Sequence, residues 1–238
     1  MPPQTSAAAV SGSYPGAPGA VMYARFRPAP GRVTMPDVCC DLVWVRERLF
    51  IAGPQSRGQV SAHPGEEIQL LNLDPLVARA WLGVPVAHLT DRKILLEDID
   101  RDCAGRLSEL FASGRAADLV GLPVVAGRAA RAAASIKAFA SVRLAAQAAE
   151  LSIRQLERLF GDRFGLSPRR YGRILRLRRA IGAIKQDGES LAFAAAGAGY
   201  ADQSHFTREV RELTGRSPRF LLPHVANVQE VLAHTRDD

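Results

Sequence analysis

Arg158-Leu-Phe-Gly-Asp-Arg-Phe-Gly165-Leu-Ser167-Pro168-Arg169 is echoed fifty residues on by Arg208-Glu-Val-Arg-Glu-Leu-Thr-Gly215-Arg-Ser217-Pro218-Arg219. Arg, Gly, Ser, Pro and Arg recur at matching places. Two copies are too few for a stacked repeat array. They predict two similar helical units, each closed by a glycine stop and followed by a Ser-Pro helix start.

Charge is distributed as unevenly as the repeat. Residues 1–125 hold 12 Lys/Arg against 13 Asp/Glu, a balance of −1, while residues 126–238 hold 19 against 11, a balance of +8. A neutral module joined to a basic one points to a polyanionic partner for the second half. No run of 18 apolar residues exists, so no helix of membrane-spanning length is expected. Met1 to Ala20 is rich in Ala, Ser, Pro and Gly without a charged side chain and reads as a disordered tail, not a signal peptide. Three cysteines, Cys39, Cys40 and Cys103, suit a reducing cytoplasm better than a disulfide framework.

Residues 21–75 read as β-rich. Asp41-Leu-Val-Trp-Val45 and Leu49-Phe-Ile-Ala52 are short apolar runs that can form a hairpin across Arg46, Glu47 and Arg48. Glu67 to Leu73 is a further candidate strand. Asp74-Pro75 fits a helix cap followed by proline at the first helical position, with Gly83 as the stop. Residues 101–113 predict a helix with Leu107, Leu110 and Phe111 on one stripe. Pro123 to Gly127 marks the expected boundary. Beyond it the pattern is helical throughout: Ala129–Ser141, Arg143–Glu150, and a helix opened by the Ser152/Gln155 capping box and running to about Arg163. Ser167-Pro168 opens a long helix that ends near Gln186, and its dense arginines, Arg169, Arg170, Arg173, Arg176, Arg178 and Arg179, read mostly as a solvated face, with some placed to touch phosphates. Ser190–Ala196, a helix capped by Asp202, and a last one from Ser217-Pro218 complete the chain.

A short helix, tight turn and second helix therefore occur twice, over 143–163 and 190–214. In the first copy Leu156, Leu159 and Phe160 face inward, and Arg154, Glu157 and Arg158 face out. In the second, Phe206, Val210 and Leu213 face inward, and Ser204, Arg208 and Arg211 face out, flanked by Gln203 and His205. Side chains on such a face can reach base edges in a major groove, where Arg matches guanine, Gln adenine and Glu the amino group of cytosine.

At these residues the chain resembles the DNA-binding domain of AraC/XylS-type transcription regulators. The resemblance rests on Leu144 to Phe160, on Gly165-Leu-Ser-Pro168, and above all on Gly199-Tyr-Ala-Asp-Gln-Ser-His-Phe206 with Gly215-Arg-Ser-Pro218. It covers about residues 130–222. It implies two recognition helices joined by a long linker helix and entering successive major grooves. The family's base-contacting positions fall on Arg154, Glu157, Arg158, Gln203, Ser204, His205 and Arg208. Ser152 and Thr207 match positions that touch backbone phosphate. One departure stands out: Glu150 occupies the first turn where the family places Gly, so strain or a different turn is expected there.

The resemblance weakens over residues 21–115, which are similar to a short β-containing N-terminal domain of some such regulators. The expected architecture is a tail over 1–20, an α+β regulatory domain over 21–125, an all-α DNA-binding domain over 126–224 with two helix-turn-helix units joined by the linker helix, and a tail over 225–238. The expected partner is double-stranded DNA in the cytoplasm, at the nucleoid, with RNA polymerase and a small-molecule effector as further candidates. No cofactor is implied, and monomer and homodimer stay open. Two other readings compete: a DNA-modifying enzyme with a catalytic N-terminal half, and a constitutive DNA-binding protein. Some relatives carry zinc-bound, alkyl-accepting cysteines, but those need four ligands. Adjacent Cys39 and Cys40 point to opposite sides of a strand, leaving only Cys103. No catalytic pair or phosphate loop is evident, so no enzymatic activity is expected.

Overall fold

A computed structural model describes residues 22–28, 30–31, 33–60, 65–119, 126–138 and 141–224. The N-terminal half carries strands β1 (Met22–Phe26), β2 (Val33–Thr34), β3 (Cys40–Val45), β4 (Arg48–Ala52), β5 (Gln59–Val60), β6 (Ile68–Leu73) and β7 (Lys93–Leu95). Five form an antiparallel sheet in the order β1-β6-β3-β4-β7, and β2 pairs with β5. The expected hairpin is present, with Val45 opposite Arg48 and only Arg46 and Glu47 between. Both have positive φ, 52° and 56°, as a two-residue hairpin turn of this hand requires, although neither is glycine.

Helices α1 (Pro75–Leu82) and α2 (Arg101–Ala112) cover one face of the sheet. The Asp74 side chain accepts from Leu76 N at 2.9 Å, and Gly83 closes α1 in the left-handed conformation. Leu42, Ile51, Leu71, Leu96 and Phe111 are buried between sheet and helices. The opposite face carries a smaller apolar cluster around Val43, Val45 and Ile68.

The second half is all helical: α3 (Arg128–Lys137), α4 (Val142–Ala148), α5 (Ile153–Phe164), α6 (Pro168–Asp187), α7 (Leu191–Gly197), α8 (Gln203–Thr214) and α9 (Pro218–His224). The caps lie where the sequence places them. Ser152 and Gln155 form the reciprocal box, Ser167 precedes Pro168, and Asp202 accepts from His205 N at 2.6 Å. One boundary differs. Helix α3 stops at Lys137, and Ser141 caps α4, accepting from Leu144 N at 3.3 Å. A serine oxygen bonded to the following amide favours a helix start over a helix interior.

The two halves share their cores. Val38, Cys39 and Leu76 pack with Leu156, Phe160, Phe164 and Tyr171 in the first helical unit. Val33 and Met35 pack with Phe206, Val210 and Leu213 in the second. Cys40, one residue after Cys39, belongs instead to the sheet–helix core. Alternation along the chain thus sends adjacent cysteines into different cores, and burial raises both thiol pKa values. Residues 123–125 of the expected boundary, and both expected tails, lie outside the described residues.

A polar cluster lies half-buried where the halves meet. Asp37 accepts from Cys39 N at 3.2 Å, and Asp41 on β3 accepts from the Asn72 amide on β6 at 2.6 Å. Burial pushes Asp37 up to about 6 despite the nearby Arg178 guanidinium, and burial with the Asp37 charge pushes Asp41 up to about 7. The folded chain therefore holds protons that the unfolded chain releases near pH ~4. The stability these groups supply is present at low pH and is lost as pH rises through the folded pKa values. Between pH 5 and 8 the melting temperature is expected to fall, and Asp41→Asn, which preserves an acceptor for Asn72, should flatten that fall. A thermal melt series whose slope is unchanged in the variant would refute it.

Candidate nucleic-acid interface

Each helical unit is a short helix, a turn and a second helix: α4 with α5, and α7 with α8. Small residues at matched places, Ala145 and Ala146 in one and Ala194 and Ala195 in the other, are at most 3% exposed. They let the paired helices approach closely. Leu156 and Phe160 in α5, and Phe206 and Val210 in α8, fill the space beneath at 0% exposure.

The turns are not identical. Glu150 lies at φ 56°, matching Gly199 at φ 82° forty-nine residues later, whereas the caps Ser152 and Asp202 are fifty apart. The second turn is one residue longer. Glu150 therefore adopts the left-handed conformation the sequence made suspect, at a cost of about 1 kcal/mol for a non-glycine residue. The turn still closes, with Glu150 N donating to Gln147 O at 3.0 Å and Leu151 N to Ala146 O at 2.9 Å.

Arg154, Glu157 and Arg158 are exposed together on α5, as are Gln203, Ser204 and Arg208 on α8. Among the described residues, none of these charged side chains makes an ion pair. Arg158 and Arg208, whose recurrence also admits a structural pairing, have no acidic partner there. His205 differs: its ring is half-buried edge-on to Tyr200 with centroids 5.2 Å apart, and its Nδ1 accepts from Ala201 N at 3.4 Å. Ser152 is occupied as the cap, accepting from Gln155 N at 3.2 Å. Thr207 is half-buried beside the exposed face.

The linker helix departs from expectation. Its arginines read from sequence as mostly a solvated face, yet most are structural clamps. Arg173 Nε donates to Glu209 at 2.9 Å and its Nη1 to Glu212 at 2.8 Å, while Arg176 Nη2 donates to Glu209 at 3.1 Å. Tyr200 is 5% exposed and donates its hydroxyl to Glu209 at 3.0 Å. Other clamps reach the N-terminal half. Arg170 donates to Ser56 O, Arg178 to Pro36 O at 3.3 Å, and Thr90 Oγ1 to Gly165 O at 2.8 Å. Gly58 N donates to Leu213 O at 2.9 Å, beside the end of α8. Sequence reasoning missed these tethers, which join residues at least 75 positions apart without any local signature.

No group of three or more His, Cys, Asp or Glu side chains is placed to hold a metal among the described residues. Nor is any helix among them long and apolar enough to cross a membrane.

Two exposed, basic-edged helices, each seated on a short helix by a tight turn and held by a common rod, define a DNA-binding domain. Residues 145–222 match the family model described as a helix-turn-helix domain. Those residues form a helix-turn-helix domain, a DNA-binding module. No curated protein matches. Among solved structures, a Chromobacterium violaceum transcriptional regulator with an AraC-type DNA-binding domain is 28% identical over 40% of this chain and 89% of its own, with a TM-score of 0.38. A probable AraC family regulator from Rhodopseudomonas palustris is 20% identical over 40% of this chain and 94% of its own, with a TM-score of 0.36. ToxT from Vibrio cholerae, in its apo form, is 10% identical over 87% of this chain and 97% of its own, with a TM-score of 0.48.

Proposed function

We propose that the protein regulates transcription by reading two successive major grooves, α5 entering one and α8 the next. The observation that carries this is the paired exposed face: Arg154, Glu157 and Arg158 on one helix, Gln203, Ser204 and Arg208 on the other, with no ion pair among the described residues to occupy the charges. Guanidinium and amide forks free of intramolecular partners are available for base edges. His205, held against Tyr200, contributes from the rim of the second face, and Ser152 and Thr207 lie where a phosphate would pass. Residues 126–224 constitute the DNA-binding part and 21–125 the regulatory part, whose tethers to both units provide a route by which its state reaches the recognition helices.

Selection from random DNA should return a bipartite site. On that site Arg208→Ala is expected to cost roughly 1–3 kcal/mol and to relax preference at one base pair. Arg178→Ala, on the side of α6 facing the N-terminal half, should leave base preference unaltered. If Arg208→Ala binds with the same preference at every position, α8 does not read bases through that residue.

A further inference from the structure

Between the two helix-turn-helix units lies a cleft of about 820 Å³. Its floor is one face of α6, presenting Arg169, Arg173, Arg176 and Arg179 at spacings of four and three residues, which a helix places in a row. Ser141, the cap of α4, contributes from the first unit; Gly199, His205 and Arg208 contribute from the second. Five arginines thus line the cleft against two acids, Glu209 and Glu212. Glu209 is buried and committed to Arg173, Arg176 and Tyr200. The Glu212 side chain is 58% exposed, and hydrogen bonds from Arg173 hold its carboxyl below the usual range. Arg169 is exposed and has no ion pair among the described residues.

A body that reads two successive major grooves on one face must straddle the minor groove between them, with a phosphate strand on either side. Those strands carry one negative charge per ~1.7 Å of axis, so the surface facing them must be cationic or it repels the duplex. Arg208 belongs both to the exposed face of α8 and to the cleft wall, so the two surfaces are continuous.

We propose that this cleft seats the sugar–phosphate backbone of duplex DNA between the two recognition helices, with Arg169 as a direct phosphate contact and Glu212 as a charge that tempers the attraction. The proposal rests on the two-groove reading above. A backbone seat carries no base information; it fixes register and sets the salt dependence of binding.

The test uses the full-length protein on its selected site, with affinity measured across a salt series. Arg169→Gln should weaken specific and non-specific binding alike, by roughly fivefold at 0.15 M salt, and lower the salt slope by about 0.9, the loss of one neutralised phosphate. Base preferences should not move. Glu212→Gln, which removes the tempering charge while keeping an amide for Arg173, should tighten binding to all sequences. If wild-type protein protects two grooves but both variants keep wild-type affinity and slope, with melting temperatures showing them folded, the cleft is not a backbone seat. Protection of one groove by the wild type overturns the parent reading instead, and this proposal with it.

Discussion

Inserting ~5 base pairs between the two halves of the selected site is expected to weaken binding by about 10²–10³-fold, the avidity that a second tethered contact supplies. The insertion rotates the second major groove by about half a helical turn, to the far face of the duplex. The protein cannot follow. Helix α6 spans 20 residues, a rod of about 30 Å at ~1.5 Å per residue, close to the ~34 Å between successive major grooves on one face. The rod is also braced from outside. Thr90 holds the end of α5 at Gly165, Arg170 and Arg178 bind the backbone of residues 56 and 36, and Gly58 holds the end of α8 at Leu213. Inserting ~10 base pairs restores the face but adds about 34 Å of separation, which the braced units cannot span. Binding should therefore stay weak, with one groove protected in a hydroxyl-radical footprint. A footprint showing a single groove on the original site, unchanged by either insertion, would rule out simultaneous engagement.

That bracing was the least legible part of the molecule. Periodicity and capping residues are local signals. The Ser152–Gln155 box, the Ser167-Pro168 start and the Asp202 cap lay open in the sequence because each is complete within a few residues. The β3–β4 hairpin was legible in the same way, though its Arg46-Glu47 turn carries no glycine to announce itself. What joins the halves has no such completeness. Val38 and Cys39 read as the approach to a strand, and nothing near them says that Phe160 or Tyr171 will cover them. The linker arginines misled for a related reason. A dense basic helix looks solvated until a fold brings Glu209 and Glu212 from α8 against it. The outward faces of α5 and α8 were legible because they remain exposed, and an exposed helix face is decided by its own spacing.

The second large effect is expected at Glu209. Its carboxylate is 5% exposed, takes hydrogen bonds from Arg173, Arg176 and the Tyr200 hydroxyl, and joins α8 to the linker helix. The Arg176 guanidinium also lies 4.6 Å from the Tyr200 ring centroid, so one acid organises two arginines and an aromatic. The same acid raises the Tyr200 pKa in support of its burial, and its bonds add to those of Glu212 in raising that of Arg173. Removing one partner from such a cluster leaves the others partly buried without compensation, a loss of about 3–5 kcal/mol when all members are fully enclosed. Arg173 and Arg176 retain 21% and 28% of their side-chain exposure and regain some hydration. Glu209→Ala should therefore cost roughly 3 kcal/mol, the lower end of that range. That corresponds to a fall of about 6–12 °C in melting temperature for a chain of this size. Glu209→Gln keeps the shape and an acceptor for Tyr200 and should lose less. The consequence for binding is directional: α8 loses its attachment to the rod while α5 keeps its own packing. Base preference should blur over the half-site read by α8 and persist over the half-site read by α5. Melting curves of Glu209→Ala that superimpose on the wild type would show that the cluster does not anchor the second unit.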